Sequence, residues 1–318
     1  MAGSEDHAVE GLPPDEAFAA LGNEVRVGIL QCLWEAYEPY TESPLSFSAL
    51  RDCVGVSDTG RFNYHLDQLT DHFVFRTDAG YRLTANGVRI AQSIVAGTHT
   101  ERFAGRRAEI DAPCFLCGAP TAIEYRGRFF YHTCTACEGR VGTRFDVPEG
   151  TLQRGWIRPP GISDRDPEAL FDAYLRRKRS RQAVIVDRVC PECSGVMDAE
   201  VLICDDHTDA DEICDTCGIR SEVNGQWVCT VCKFAWRLPA NERVRLEPAV
   251  GRFHHERGLA YDPSTYDDFV RFETWDQEVV DASRPTVDVT VEVDRDALVL
   301  TLDDGMRVVS VEGDHPTA

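Results

Sequence analysis

Ten of the thirteen cysteines in this 318-residue chain stand as five Cys-x-x-Cys pairs: Cys114/Cys117, Cys134/Cys137, Cys190/Cys193, Cys214/Cys217 and Cys229/Cys232. No other feature limits the possible folds as strongly. Paired thiols at this spacing form a metal-binding pattern rather than a disulfide framework. The first two pairs flank IEYRGRFFYHT, an alternating segment that reads as a hairpin. Two such turns offer four thiolates in a tetrahedron, so one closed, structural zinc site is expected from Cys114, Cys117, Cys134 and Cys137. Gly118 and Gly139 follow the pairs, where tight turns need little side-chain bulk.

The second cysteine-rich stretch holds Cys190, Cys193, Cys204, Cys214, Cys217, Cys229 and Cys232, with His207 nearby. Seven thiols exceed one tetrahedral site, so one or two zinc ions are expected. The simplest grouping joins Cys190/Cys193 to Cys214/Cys217, and Cys229/Cys232 to Cys204 and His207. A rival joins Cys190/Cys193 to Cys229/Cys232 and leaves Cys214/Cys217 with Cys204 and His207. A third makes a tight ribbon of Cys214/Cys217 with Cys229/Cys232. Spacing alone does not rank the three. Cys32 and Cys53 have no cysteine neighbour at metal spacing and read as small buried apolar residues.

The N-terminal third is organised around residues 44–84. A helical pattern over 44–54 turns Leu50 and Cys53 inward and ends at Gly55. Ser57 can cap the next helix, with Asp58 adding negative charge to its first turn. That helix carries Phe62, Leu66 and Leu69 at i, i+4 and i+7, an apolar face to be buried. Two alternating segments, FVFRT and YRLT, meet at Asp78-Ala79-Gly80, a hairpin signal. Helix, turn, helix and hairpin make a winged helix-turn-helix, whose usual work is to set one helix in the major groove of DNA. The outer side of that helix offers Thr59, Gly60, Arg61, Asn63, Tyr64 and Gln68, with Asp67 further from the backbone. Arg61 suits guanine, Asn63 or Gln68 suits adenine, and Gly60 permits close approach. Arg76 and Arg82 flank the hairpin turn and suit phosphate or minor-groove contact. The plain alternative is that all of these are solvated surface residues.

Upstream, Pro13 and Pro14 with Asp15 and Glu16 open a helix that should bury Phe18 and Leu21; Val25, Ile29, Cys32 and Leu33 continue the apolar stripe. Residues 85–97 read as a closing helix with Val88, Ala91, Ile94 and Val95 on one face, an arrangement that suits a homodimer on a two-fold operator. The segments FAALGNEVRVGILQCLWE (18–35), PLSFSALRDCVGVSDTGRFNYHLDQL (44–69) and FRTDAGYRLTANGVRIAQSI (75–94) resemble the ArsR-type winged-helix regulators of halophilic archaea. LGNEVRVGIL and SDTGRFNYHL carry the resemblance most specifically. It implies a dimeric transcription factor over the first third of the chain. Metal-sensing members of that family carry a short cysteine motif on the helix that here holds only Cys53, so the resemblance does not extend to that function. The cysteine-rich remainder resembles, less specifically, the C-terminal regions of the haloarchaeal subgroup.

Net charge is −21, with 54 acidic against 33 basic residues, and only Lys178 and Lys233 are lysine. This composition suits a cytoplasm of very high salt. It disfavours nonspecific nucleic-acid binding. At molar salt, however, the Debye length falls to about 3 Å and long-range repulsion fades, so affinity must come from close shape and base contacts. There is no signal-peptide h-region and no apolar run of membrane length, so a cytoplasmic protein with no membrane partner is expected.

The expected fold class is α+β: a winged helix-turn-helix (13–98), a zinc ribbon (109–146), a linker and helix with a basic cluster (147–185), a second cysteine-rich zinc-binding region (186–240) and a small α+β region ending in antiparallel strands (241–312). The stretch 147–167 is rich in proline, glycine and charge. The helix after it, over about 167–181, ends in Arg176-Arg177-Lys178-Arg179-Ser180-Arg181. That run has two readings: DNA-backbone contact, or pairing with acidic surfaces of its own dimer. His254 and His255 read as surface or packing residues on a short helix (248–256). Residues 1–12 and those from about Gly313 read as loose ends. The expected function is a sequence-specific DNA-binding transcriptional regulator with a zinc-stabilised sensory or oligomerising module, its effector a small molecule or a protein. The rival is a zinc-ribbon adaptor whose winged helix contacts protein. No phosphate loop, dinucleotide fingerprint or nucleophile elbow is present, so catalysis is not expected.

Overall fold

A computed structural model describes residues 12–97, 103–127, 129–163, 165–207, 212–281 and 285–313. The loose ends expected at either terminus fall almost wholly outside these residues. The chain is mixed α and β, with small antiparallel sheets, and divides into two compact units, 1–101 and 102–318. Among the described residues no helix is long and apolar enough to cross a membrane.

The first unit runs α1 (Pro14–Leu21), α2 (Glu24–Glu35), α3 (Phe47–Val54), α4 (Thr59–Asp67), the hairpin β1 (Val74–Thr77) and β2 (Gly80–Leu83), and α5 (Ala85–Val95). Each start has a local cause. A proline stands in the first turn of α1; the side chains of Asn23, Ser46, Asp58 and Thr84 accept backbone N–H groups at the starts of α2 to α5. The cap of α4 is Asp58, whose carboxylate accepts from the Arg61 N–H at 2.9 Å, and not Ser57 one residue earlier. Gly55, at φ 75°, ends α3 in the left-handed region. The core takes Val25, Ile29, Leu30 and Leu33 from α2, Leu50 from α3, and Phe62, Leu66 and Leu69, all three fully buried. Phe18 was expected inside but is 76% exposed. In α1 the inward side is instead Ala17, Ala20 and Leu21. β2 is held on its other side by Leu45, whose N–H and carbonyl pair with Tyr81. Gly87 lets α5 sit against the hairpin: a Cβ there would lie 2.0 Å from the Phe73 carbonyl oxygen.

The second unit opens with a four-stranded antiparallel sheet, β3 (Phe103–Ile110), β4 (Thr121–Gly127), β5 (Phe129–Cys134) and β6 (Thr151–Gly155), in that spatial order. β6 lies inside the tract expected to be only a linker; its Thr151, Leu152 and Gln153 are buried against the sheet. The short α6 (Pro160–Ser163) leads to α7 (Pro167–Val186). A second sheet follows, β7 (Met197–Ile203), β8 (Val223–Cys229) and β9 (Ala235–Pro239). Three short helices, α8 (Ala240–Val244), α9 (Pro248–Glu256) and α10 (Tyr266–Val270), precede a four-stranded meander: β10 (Asp276–Asp281), β11 (Thr286–Val293), β12 (Asp296–Leu302) and β13 (Val308–Gly313). One apolar core runs from Ile123 and Phe130 in the first sheet, through Phe171 and Leu175 of α7 and Trp227 of β8, to Val289 and Leu300 of the meander.

α7 continues five residues past the basic run, so the run is not at the helix end. Its members have separate fates. Arg176, Arg177 and Arg179 are exposed, Arg181 pairs with Glu192, and Lys178 is buried. The Lys178 ammonium lies 2.9 Å from Glu242, whose carboxylate also accepts from Gln182 at 2.7 Å. Arg245, fully buried, donates to Gln182 and to the Pro263 carbonyl. Burial alone would raise the Glu242 pKa, but Lys178, Arg245 and Arg140 outweigh it and hold the group at about 2. For Lys178 burial wins over the same pairing and pulls it down to about 8. Both remain charged at neutral pH. His254 is a packing residue, stacked on Tyr261 with its Nδ1 2.8 Å from the Val250 carbonyl oxygen; His255 is exposed.

Candidate metal centres

Four of the five cysteine pairs share one backbone design. The residue after the second cysteine of each is Gly118, Ser194, Gly218 or Lys233, each with φ between 61° and 74°. Its N–H donates to the carbonyl of the first cysteine, at 2.7, 2.8, 2.7 and 3.2 Å respectively. The first cysteine's own N–H donates to the carbonyl five residues on, that of Ala119, Gly195, Ile219 or Phe234. This closes each turn so that both sulfurs leave it on one side. The left-handed residue favours glycine, and Ser194 and Lys233 take that conformation at some cost.

The turns converge in three groups among the described residues: Cys114, Cys117, Cys134 and Cys137; Cys190, Cys193, Cys229 and Cys232; and Cys204, His207, Cys214 and Cys217. Within each group the donor atoms lie within 4.8 Å of one another. Cys114 to Cys137 is 3.7 Å and Cys117 to Cys134 is 3.5 Å. Cys190 to Cys232 is 3.6 Å and Cys193 to Cys229 is 3.5 Å. Cys204 to Cys214 is 3.8 Å, and Cys217 lies 3.8 Å from His207 Nδ1. A tetrahedron with metal–sulfur bonds of about 2.3 Å has edges of about 3.8 Å. Each group could therefore hold one metal ion.

The second cysteine-rich stretch adopts the grouping in which Cys190/Cys193 joins Cys229/Cys232. The simplest grouping, with Cys190/Cys193 beside Cys214/Cys217, does not occur. The cause is the β7–β8 hairpin, which pairs Met197 with Cys229 and Ile203 with Val223. Its open end brings residues 190–193 against 229–232, and its connecting end brings 204–207 against 214–217. One hairpin thus carries a cluster at each end.

At Cys134 and Cys229 local hydrogen bonds stabilise the thiolate form. The N–H groups of Ala136 and Cys137 both point at Cys134 Sγ, at 3.3 Å, and those of Val231 and Cys232 at Cys229 Sγ, at 3.4 and 3.5 Å. The Cys232 N–H leads in lowering the Cys229 thiol to about 6. At Cys134 burial opposes, but the N–H groups of Cys137 and Ala136 still pull the thiol down to about 7. At His207, Nε2 lies 3.2 Å from the Arg220 carbonyl oxygen. A proton on Nε2 donates there and leaves the Nδ1 lone pair facing the cluster. This is the outer hydrogen bond by which a protein fixes a histidine tautomer for metal binding.

The side chains singled out on α4 lie where the apolar spacing puts them. Thr59, Gly60, Arg61, Asn63, Tyr64, Asp67 and Gln68 are all exposed. Four have local partners: Thr59 accepts from the Arg51 guanidinium at 3.0 Å, Asn63 donates to Asp67 at 2.9 Å, and Arg61 approaches Glu24 at 4.0 Å. Arg76 is exposed beside Tyr81, while Arg82 is half-buried, its guanidinium 4.8 Å from the Phe75 ring centre. The sequence reading missed a covalent link. Cys32 and Cys53, read as free apolar residues, form a disulfide between α2 and α3, and Cys53 is exposed rather than turned inward. The available signal was one cysteine on each of two helices that must pack together.

A family model described as a domain of unknown function (DUF7351) matches residues 111–308, which hold all three clusters and the meander. A second, described as a domain of unknown function (DUF7347), matches residues 14–94, the helices and hairpin of the first unit. No curated protein matches the chain, and no solved structure does.

Proposed function

The chain belongs to the DUF7351 family, and we propose that it is a sequence-specific DNA-binding transcriptional regulator whose second unit is stabilised by zinc. One observation carries the DNA reading. Phe62, Leu66 and Leu69 are wholly buried while Thr59, Gly60, Arg61, Asn63, Tyr64 and Gln68 stand in solvent on the opposite side of α4. That division supports reading α4 as the recognition helix of a winged helix-turn-helix of ArsR type, with β1–β2 as the wing. Arg61 and Tyr64 contact base edges, Arg76 contacts phosphate, and Arg82, packed on Phe75, shapes the wing. Val95, 50% exposed at the end of α5, continues an apolar edge that suits pairing with a second copy on a two-fold operator. Zinc is the ion of choice at all three clusters because thiolate and imidazole donors with tetrahedral edges suit it. Four protein donors leave no open coordination position, so the metals hold structure and do not hydrolyse substrate.

The test is genome-wide mapping of bound sites in a cell of high internal salt, followed by binding of the recovered duplex at molar potassium chloride. Replacing Arg61 and Tyr64 by alanine is expected to weaken that duplex at least tenfold, at about 1–3 kcal/mol for each specific base contact. The net charge of −21 favours the rival adaptor. Under that reading no preferred duplex is recovered, and the double substitution changes only a protein partner.

A further inference from the structure

The first and third clusters are tied together by eight residues. Cys137 is a donor of the first, and the chain that leaves it runs directly along the turn that follows Cys217 of the third. The Arg220 N–H donates to the Arg140 carbonyl at 3.0 Å, and the Gly142 N–H to the Gly218 carbonyl at 2.9 Å. Val141 and Ile219 form the antiparallel bridge between those bonds. Arg144 donates from its guanidinium to the Asp215 carbonyl at 2.7 Å, inside the Cys214–Cys217 turn. It lies so close that a Cβ on Gly218 would be 2.3 Å from its Nε. The Arg140 side chain leads back to the first cluster. Its guanidinium lies 6.0 Å from the ring centre of Phe115, within the Cys114–Cys117 turn, and pairs with Glu273 at 3.1 Å and Glu242 at 3.7 Å.

The geometry points to energetic coupling between these two metal centres: a thiophilic divalent cation at Cys204, His207, Cys214 and Cys217 is bound more tightly when Cys114, Cys117, Cys134 and Cys137 already hold one. The inference rests on reading both clusters as metal sites. An ion in the first cluster fixes Cys134 and Cys137 and so the path of residues 138–144. That path is then a preformed partner for the turn at 214–220. With the first cluster empty, the third must order both segments when it binds, and its apparent affinity falls by the fraction of chains not yet ordered. Linkage makes the effect reciprocal.

The donor sets make the test possible, because the third cluster is three sulfurs and one nitrogen while the other two are four sulfurs. Reduced, metal-free full-length protein is titrated with cobalt(II) against a competing chelator. The visible bands then distinguish the mixed site from the all-sulfur sites. Gly142→Pro removes the N–H that meets Gly218, at a φ of −69° that proline accepts. Gly142→Ala keeps that N–H and controls for the added carbon, which would meet Ile213 at 3.2 Å. Gly142→Pro is expected to weaken cobalt at the mixed site at least fivefold relative to Gly142→Ala, with every metal donor intact. Cys137→Ser is expected to weaken the mixed site about tenfold, and under about twofold when Gly142→Pro is already present, within the range of ordinary site-to-site coupling. Equal mixed-site midpoints for the two Gly142 variants, or an unchanged mixed site in Cys137→Ser, would overturn the coupling. A wild-type protein with all-sulfur bands and no mixed-site band would remove the third metal site itself, and with it the reading on which the coupling depends.

Discussion

The two units of this chain solve the same problem with different chemistry. The first closes over a nearly pure apolar core, in which His65 is the buried polar side chain among the described residues. The second spreads one core across three small sheets and buries Lys178, Gln182, Glu242, Arg243 and Arg245 within it. Its small sheets have little depth, and its thiolate clusters replace apolar mass at the turns. Amphipathic helices can be read from spacing; a scaffold of metal turns and buried ion pairs depends on partners distant in sequence. The contrast predicts that the two units fail under different insults.

Metal removal should separate them most. Structural zinc contributes about 10–16 kcal/mol per site in small domains. Chelation under reducing conditions is therefore expected to abolish cooperative unfolding of the second unit, with loss of the near-ultraviolet signal of Trp227, Trp236 and Trp275. The helical signal of the first unit should remain. Elemental analysis of the native protein should give three zinc ions per chain, and two in Cys229→Ser. A second unit that melts unchanged after metal loss would erase the distinction.

Glu242→Gln comes next, because it leaves Lys178 and Arg245 buried without a counter-charge. Removing one partner from a buried pair costs about 3–5 kcal/mol. The wild-type carboxyl sits at about 2 against an ordinary 4.5, so its stabilising contribution is complete above about pH 4.5 and is lost as pH falls towards 2. The stability difference between wild type and Glu242→Gln, followed by denaturant titration, should shrink as pH falls through that window and shrink again as pH rises past about 8, where Lys178 loses the charge that Glu242 balances.

Reduction of Cys32–Cys53 touches only the first unit. The bridge spans 21 residues, and opening it should cost about 3 kcal/mol. Cys53→Ser should then melt at the same temperature with or without reductant. The smallest effect belongs to Asp58→Ala, which removes the cap of α4 and should cost about 1 kcal/mol, read as a shift of a few degrees in the first unit's melting temperature. An equal shift in both units would mean that they unfold together.

The same contrast governs what was legible in the sequence. Phe62, Leu66 and Leu69 repeat at helical spacing, and that repeat reports burial directly. Phe18 carries the same signal but is exposed, because the short α1 presents Ala17, Ala20 and Leu21 to the core, and a helix of two turns fixes its phase weakly. All twelve cluster residues were legible as candidate donors, ten because each Cys-x-x-Cys pair is a local turn and Cys204 and His207 because they lie close to such pairs in sequence. Their grouping was not, because it is set by the register of β7 on β8, which no local spacing records. β6 was hidden by its surroundings: Thr151–Gly155 lies among prolines and glycines that read as linker. The basic run of α7 looked like a helix terminus, and only the burial of Lys178 against Glu242, far along the chain, gives it another role.

The hairpin with a cluster at each end has a consequence for the order of assembly. Cys204 and Cys214 are 10 residues apart, whereas Cys190 and Cys232 are 42 apart. Closing the shorter loop costs about 1 kcal/mol less chain entropy. Its four donors end at Cys217 and its turn closes by Arg220, so within this hairpin a nascent chain can offer the inner site before Cys229 and Cys232 have left the ribosome. The inner capture then sets the alignment in which the outer thiols meet.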